Sequence, residues 1–164
     1  MRALEHKIPP PVVGALIAAA MWALSLPAPP LALPPWVGGP LIVLLVIAGV
    51  TFDLLGLIAF LRMKTTINPL QPGKASALVT VGVYRITRNP MYVGMALLLT
   101  AWAVHLAALW PLLGPVLFVL YINRFQIAPE ERVLKELFGE EYVAYTARVR
   151  RWRSEEHTSE LQSH

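Results

Sequence analysis

Residues 37–61 read VGGPLIVLLVIAGVTFDLLGLIAFL, and Asp53 is the one charged residue in this stretch. These 25 residues exceed the roughly 20 apolar residues that a helix needs to cross the hydrocarbon core of a bilayer. The stretch therefore predicts a membrane-spanning helix, and it decides the fold class, an integral membrane protein built from helices.

The composition of the whole chain agrees with this prediction. Of its 164 residues, 56% are hydrophobic and 15% are charged, and the mean hydropathy is +0.56, whereas an ordinary soluble domain carries about 25% charged residues. The length allows one domain, so an active site must lie in or against the bilayer. The chain has no cysteine, which excludes disulfides, iron–sulfur clusters and cysteine nucleophiles.

Three further apolar stretches predict helices around the first one. Residues 12–26 form a compact apolar run, and the loop LPAPPLALPP at residues 26–35 separates it from residues 37–61. A signal peptide is the alternative for this run, but no A-x-A-like cleavage site ends it. A window without charges lies between Asn89 and Asn123. We predict an all-α bundle of about four spanning helices, at residues 12–26, 37–61, 90–106 and 110–127, followed by an amphipathic cytoplasmic cap at residues 128–152.

The basic residues predict the orientation of this bundle. All thirteen Lys and Arg residues before residue 153 fall on one side of a four-span arrangement, and none lies in the proline-rich loop or in the turn between the last two spans. Because Lys and Arg concentrate in cytoplasmic segments, we expect both termini in the cytoplasm of a bacterial cell and the spans in its inner membrane. Residues 1–152 form one domain in this interpretation.

The end of the sequence differs in character from the rest. Residues 153–164 read RSEEHTSELQSH, a polar and acidic stretch without periodicity. We interpret it as a translated sequencing-adapter read-through that replaces the natural C-terminus, with a disordered tail as the alternative. It is excluded from the fold prediction.

The predicted cytoplasmic segments, residues 62–89 and 124–152, support few kinds of chemistry. His6 lies at the start of the chain and His105 in the far-side turn, so a histidine base, and with it a serine triad, is missing. No cluster has metal-ligand spacing, and no metal site is predicted. Methyl transfer from a sulfonium remains, because the thioether leaves as a neutral group and the protein needs only to bind and align the reactants.

Two charged residues are candidates for binding the methyl acceptor. Asp53 lies inside a predicted span, where ionisable residues are rare and usually functional or paired. It either lines an acceptor pocket or makes a protonated or hydrogen-bonded helix contact. Arg124 follows the last predicted span. No catalytic residue is assigned.

Two sequence motifs connect these segments to a known family. Residues 82–94 read GVYRITRNPMYVG, Glu130 and Glu131 follow, and residues 137–145 read LFGEEYVAY. In combination they resemble the R-[HN]-P-x-Y-x-G motif, the later Glu pair and the Phe-Gly-x-x-Tyr-x-x-Tyr ending of the isoprenylcysteine carboxyl methyltransferase and phospholipid methyltransferase superfamily. The resemblance covers about residues 65–152.

The resemblance implies a small helical membrane bundle that binds S-adenosylmethionine at its cytoplasmic face. Within the Glu pair, we expect Glu131 to contact the cofactor directly and Glu130 to pair with Arg124, Arg132 or Lys135. Tyr142 and Tyr145 are expected to be packing residues. The residues implied to bind the cofactor are Arg88, Asn89, Pro90, Tyr92, Gly94, Glu130 and Glu131.

One departure from the family pattern limits what the resemblance implies. The eukaryotic carboxyl methyltransferases have histidine where this chain has Asn89, so an amide replaces any proton chemistry there. The acceptor stays open among phospholipid amines, small thiols and prenyl or quinone-like lipids. Nothing predicts a nucleic-acid partner, and the sequence does not set the oligomeric state. The alternative outside catalysis is a membrane adaptor or small transporter subunit; a sterol-reductase-like enzyme would need a nicotinamide fingerprint that we do not find.

Overall fold

The computed structural model describes residues 7–63 and 77–152, and within these ranges the chain is all-helical apart from one isolated bridge between Pro30 and Ala108. His6, Lys64, Lys74 and the predicted tail at residues 153–164 lie outside the described residues. The α-helices are α1 (Pro10–Ser25), α2 (Pro35–Met63), α3 (Pro90–Leu106), α4 (Leu113–Ile122) and α5 (Ala128–Arg148).

Helix boundaries follow the sequence signals. Pro10, Pro35 and Pro90 each occupy the first residue of a helix, where proline's missing N–H has no intrahelical partner to lose and its fixed φ suits a helix. The predicted span at residues 90–106 coincides with α3, and residues 37–61 lie inside α2. Pro40 lies inside α2 as well, where it lacks the N–H that would bond to the Trp36 carbonyl oxygen, and the helix continues past it.

Two helical stretches within the described residues are long and apolar enough to cross a membrane, α2 and the continuous helical stretch Trp110–Arg148. The apolar helices α1 and α3 are shorter, with 16 and 17 residues. The outer face of α2 exposes large aliphatic side chains, which lipid would cover. They include Val43, Leu44, Ile47, Val50, Leu54, Ile58 and Leu61.

The main core lies between α1, α3 and α4. Met21, Phe118 and Ile122 are buried there together with Leu99. Gly114 of α4 leaves room for Met21, because a side chain at this glycine would overlap the Met21 sulfur. Small residues of this kind let helices approach closely where apolar burial alone does not drive association.

Helices α2 and α3 make the closest helix pair, through glycines on both sides. A Cβ atom on Gly49 would lie 2.9 Å from the Gly94 carbonyl oxygen, and one on Gly56 would lie 3.1 Å from Pro90 Cγ. Asp53 lies between these two positions, and its carboxyl occupies the space in which a side chain at Gly94 would stand. The start of α3 is therefore held at the level of Gly56.

The two turns at one end of the bundle are joined by backbone hydrogen bonds. Leu31 N donates to Ala107 O at 2.8 Å, and Leu109 N donates to Pro29 O at 2.9 Å. Ala107 ends α3 in the left-handed conformation, with φ of 49°. The proline-rich loop and the α3–α4 turn thus lie together, at the end of the bundle opposite the start of α3.

The fourth helix does not stop where α5 begins. Residues Asn123–Ile127 form a π-helical turn that joins α4 directly to α5. The predicted boundary at Ala128 is where α-helical geometry resumes, so the segment expected as a cap continues the fourth helix. The 21 residues of α5 include eight charged ones, too many for a hydrocarbon environment, so a span within the candidate stretch Trp110–Arg148 would end near Ile127. Gly139, with φ of 51°, kinks α5.

Candidate functional site

Polar side chains from three parts of the chain meet beside the start of α3. Arg88 and Tyr92 come from this start, Glu130 and Glu131 from the first turn of α5, and Tyr142 from its later turns. The Glu pair follows the π-helical turn Asn123–Ile127 directly in the chain. Four of the seven residues implied by the family motif are thereby joined by direct contacts: Arg88, Tyr92, Glu130 and Glu131.

Glu130 is bound by a tyrosine. The Tyr92 hydroxyl donates to Glu130 Oε1 at 2.7 Å. Burial raises the pKa of the Glu130 carboxyl to about 8; the hydrogen bond from Tyr92 opposes the rise, and the charge of Glu131 adds to it. The carboxyl can therefore hold a proton at neutral pH and release it when a cation approaches.

Glu131 is bound by two arginines. Arg151 donates from Nε to Oε1 at 2.8 Å and from Nη2 to Oε2 at 2.7 Å, and Arg88 Nη1 lies 3.0 Å from Oε1. Arg88 and Arg151 thus engage Glu131, the residue expected to contact the cofactor, whereas Tyr92 binds Glu130. Neighbouring residues on a helix point in different directions, and the packing of distant segments decides which partner each one meets.

Arg88 occupies the centre of this arrangement. Besides its contact with Glu131, its Nη1 donates to the Tyr142 hydroxyl at 3.3 Å. Its Nε atom is buried and has no hydrogen-bond partner in the part of the chain that the structure describes. A buried donor of this kind is unfavourable unless a ligand supplies the acceptor.

The remaining motif residues have other surroundings. The Asn89 side-chain amide donates from Nδ2 to the Arg151 carbonyl oxygen at 2.9 Å and makes no capping hydrogen bond to α3. Pro90 is buried at the first position of α3. Gly94 faces α2, where it contacts Asp53 and Gly49. The structure therefore does not bring Gly94 against the Glu pair.

Two residues at this site were not singled out from the sequence. Arg151 is one of them, and its guanidinium binds both carboxylate oxygens of Glu131. Tyr84 is buried in a 3₁₀ turn, edge-on to Phe60 with 5.5 Å between ring centroids. Burial, followed by the charges of Tyr145 and Glu130, raises its pKa.

The two predicted acceptor residues lie apart in the chain. Asp53 is on α2, against Gly94. Arg124 belongs to the π-helical turn, and its guanidinium carbon lies 5.4 Å from the centroid of the Phe125 ring. Tyr142 and Tyr145 pack with Leu78 and Val149 as expected, and the Tyr145 hydroxyl also donates to the Tyr84 carbonyl oxygen at 2.8 Å.

Comparison with known proteins assigns a family to this arrangement. The model of the phospholipid methyltransferase family matches residues 40–141, which is more than half of the chain. The chain belongs to this family. The matched residues contain most of α2, all of α3 and the Glu pair, and they end before Tyr142.

Two relatives of this phospholipid methyltransferase family member agree with the assignment. An uncharacterized protein of Haemophilus influenzae is 47% identical over 62 residues, 38% of this chain and 98% of that protein. Protein-S-isoprenylcysteine O-methyltransferase B of Arabidopsis thaliana is 38% identical over 76 residues, 44% of this chain but 36% of the plant protein. No solved structure gives a significant match. The expected superfamily is confirmed, and with the apolar helices it supports a membrane methyltransferase.

Proposed function

We propose that this protein is an integral membrane S-adenosylmethionine-dependent methyltransferase that modifies a lipophilic or small acceptor at the cytoplasmic face. The observation that carries the proposal is the contact between the start of α3 and the Glu pair, 38 residues apart at Tyr92 and Glu130. This contact joins the two halves of the family motif into one polar site at the edge of an apolar bundle.

The chemistry of the cofactor fits the residues at this site. S-adenosylmethionine carries a sulfonium, an ammonium, a carboxylate and a ribose diol. Glu130 offers a carboxyl that a nearby cation would ionise, and the buried, unpartnered Arg88 Nε offers a donor to a carboxylate. Tyr92 and Asn89 are the other proposed contacts, with Pro90 and Glu131 shaping the pocket, and Gly94 contributes only through the α2–α3 crossing.

When bound, the cofactor supplies a methyl group on a positively charged sulfur, and the sulfur leaves as a neutral thioether. The residues of the chain therefore bind and orient rather than act as acids on the leaving group. Tyr92 keeps the Glu130 carboxyl in place through its hydroxyl, and Arg88 is held between Glu131 and Tyr142. No residue is assigned to attack the acceptor.

The depth of the site supports an acceptor that arrives from the membrane. Pro90 packs at the level of Gly56 on α2, and α2 continues for seven more residues to Met63. At 1.5 Å per residue, α2 rises about 10 Å beyond the start of α3. The site is thus recessed beside a lipid-facing helix, where a lipophilic molecule can reach it laterally.

An arrangement of four spans with both termini in the cytoplasm agrees with the distribution of Lys and Arg between the two ends of the bundle. The joined turns at residues 29–31 and 107–109 carry no Lys or Arg, whereas the opposite end carries Arg62, Arg85 and Arg88. At about 24 and 26 Å, α1 and α3 are somewhat shorter than a hydrocarbon core of about 30 Å, a mismatch that local thinning of the bilayer accommodates. Residues 1–152 act as one methyltransferase domain in this proposal.

Asp53 and Arg124 are the proposed acceptor-side residues. Asp53 packs against Gly94 inside the α2–α3 pair. A lone carboxyl inside a helix pair is unfavourable unless it is protonated or meets a polar ligand. An acceptor headgroup would provide that partner.

The decisive experiment is to incubate the purified protein with radiolabelled S-adenosylmethionine and a bacterial lipid extract. Label in a lipid or small-molecule fraction would support the proposal and identify the acceptor. Calorimetry in detergent would measure cofactor binding separately. A protein that binds no cofactor would contradict the proposal and favour the membrane adaptor or transporter subunit.

A further inference from the structure

The last described residues lie across the start of α3. We call residues 149–152 the C-terminal strap. The Arg150 carbonyl oxygen accepts from the Arg88 backbone N–H at 3.0 Å, and the Arg151 carbonyl oxygen accepts from the Thr87 hydroxyl at 2.8 Å and from the Asn89 amide at 2.9 Å. The strap therefore satisfies three donors of the segment that leads into α3.

Both ends of the strap are anchored. Val149 is buried with Leu78, Tyr142 and Tyr145, and the Trp152 indole donates to Asn123 Oδ1 in the π-helical turn at 2.9 Å. Between these anchors, the Arg151 guanidinium binds both oxygens of Glu131. Paired nitrogens on a carboxylate form the strongest kind of side-chain hydrogen bond and also set its orientation.

The two arginines at Glu131 are not equivalent. Arg151 uses Nε and Nη2 on the two carboxylate oxygens, whereas Arg88 reaches one of them through Nη1 and keeps its buried Nε without a described partner. Arg151 therefore sets the plane of the Glu131 carboxylate, which Arg88 meets with one nitrogen only. Without Arg151, the carboxylate would be free to turn toward Arg88 Nε and accept from it.

We propose that Arg151 is a positioning residue of the methyltransferase site, which orients Glu131, leaves Arg88 Nε available to the cofactor, and ties the start of α3 to the strap. The inference rests on the proposed function. It lies beyond the matched region of the family, which ends at residue 141. Arg151 acts through Glu131 and does not itself contact the cofactor.

A double-mutant cycle on cofactor affinity tests this role. Calorimetry with S-adenosylmethionine would compare the wild type, Arg151→Ala, Glu131→Gln and the double variant. We expect each single change to raise the dissociation constant about tenfold. The dissociation constant of the double variant should exceed that of the weaker-binding single variant by less than about twofold, because the effects of residues in direct contact are not additive. If the two effects multiplied instead, the dissociation constant of the double variant would rise near a hundredfold, and this result would overturn the proposal.

Two further variants separate positioning from general charge and folding effects. Arg148→Ala removes the same charge from an exposed side chain three residues earlier and should change affinity by less than about twofold. Arg151→Lys keeps the charge but not the paired nitrogens, so an intermediate affinity is expected. Full wild-type affinity in Arg151→Lys would overturn the role of the paired contact.

Hydrogen exchange tests the strap without any cofactor. The Arg88 amide, bonded to the Arg150 carbonyl oxygen, should exchange at least about tenfold faster in Arg151→Ala than in Arg148→Ala. Equal exchange would show that Arg151 does not hold the start of α3. A wild type with a protected Arg88 amide but no cofactor binding would contradict the proposed function and leave the strap contact established.

Discussion

At the residue scale, the two carboxylates of the Glu pair have different partners and therefore different expected roles. Glu131 is bound by two arginines, and Glu130 is bound by a tyrosine in surroundings that favour its protonated form. A buried carboxyl with a raised pKa is typical of functional sites. The pair thus combines a carboxylate bound by arginines with a carboxyl that can gain or lose a proton.

Replacing Glu131 should affect the cofactor far more than replacing a carboxylate on the same helix. We expect Glu131→Gln to raise the dissociation constant about tenfold or more, since hydrogen bonds to charged groups contribute about 1.5–3 kcal/mol. The matched control is Glu140→Gln, because Glu140 is exposed; its effect should stay below about twofold. Calorimetry in detergent measures both, and equal affinities of wild type and Glu131→Gln would remove Glu131 from the site.

Cofactor affinity should rise with pH through the titration of Glu130. The folded carboxyl has a pKa of about 8 against 4.5 for an ordinary Glu, so its contribution to stability is full below about 4.5 and is lost as the pH rises through about 8. A cationic ligand favours the carboxylate, so binding near pH 7 should release a proton.

The proton release is measured by calorimetry in buffers of different ionisation enthalpy. Fewer protons should be released when the cofactor binds to Glu130→Gln than when it binds to the wild type, because the variant lacks the titrating carboxyl. The ammonium of the ligand contributes equally to the proton release in both proteins. Identical proton release in the wild type and in Glu130→Gln would show that Glu130 does not titrate on binding.

At the element scale, the crossing of α2 and α3 depends on Gly94. A Cβ atom at Gly94 would overlap Asp53 and approach the Gly49 carbonyl oxygen to 2.7 Å. We expect Gly94→Ala to destabilise the protein by about 1–3 kcal/mol, because neither the helix backbone nor the enclosed carboxyl can move freely.

Thermal unfolding in detergent would measure this effect against Gly39→Ala, which adds a methyl group to α2 where no atom lies within 4 Å. The control should be neutral or slightly stabilising, since alanine is the better helix former. Asp53→Ala combined with Gly94→Ala should recover part of the loss. A Gly94→Ala protein as stable as wild type would contradict the close crossing.

At the scale of the whole molecule, the joined turns and the polar site occupy opposite ends of one helical bundle. Reporter fusions at Lys7 and Trp152 should therefore indicate the cytoplasm, and a fusion at Ala32, within the proline-rich loop, the opposite side. In the proposed function the site faces the cytoplasm, from which it would receive a water-soluble cofactor. A cytoplasmic report at Ala32 would rule out the four-span arrangement.

The sequence by itself determined the helices of this protein. Runs without charge and prolines at helix starts set the bounds of α2 and α3 to within two residues, because a chain in lipid must satisfy its backbone within uninterrupted apolar helices. The motif residues also identified the family and four residues of the polar site, because proteins that bind the same kind of ligand use the same residue types at similar spacings.

Only the tertiary structure decided which partners these residues have. Glu130 and Glu131 are adjacent in sequence, yet one faces Tyr92 and the other Arg151, whose approach depends on the strap folding back over the start of α3. Gly94 belongs to the motif but faces Asp53, because the α2–α3 crossing sets its direction. Periodicity predicts on which helix a side chain stands, whereas the packing of distant segments selects what it touches.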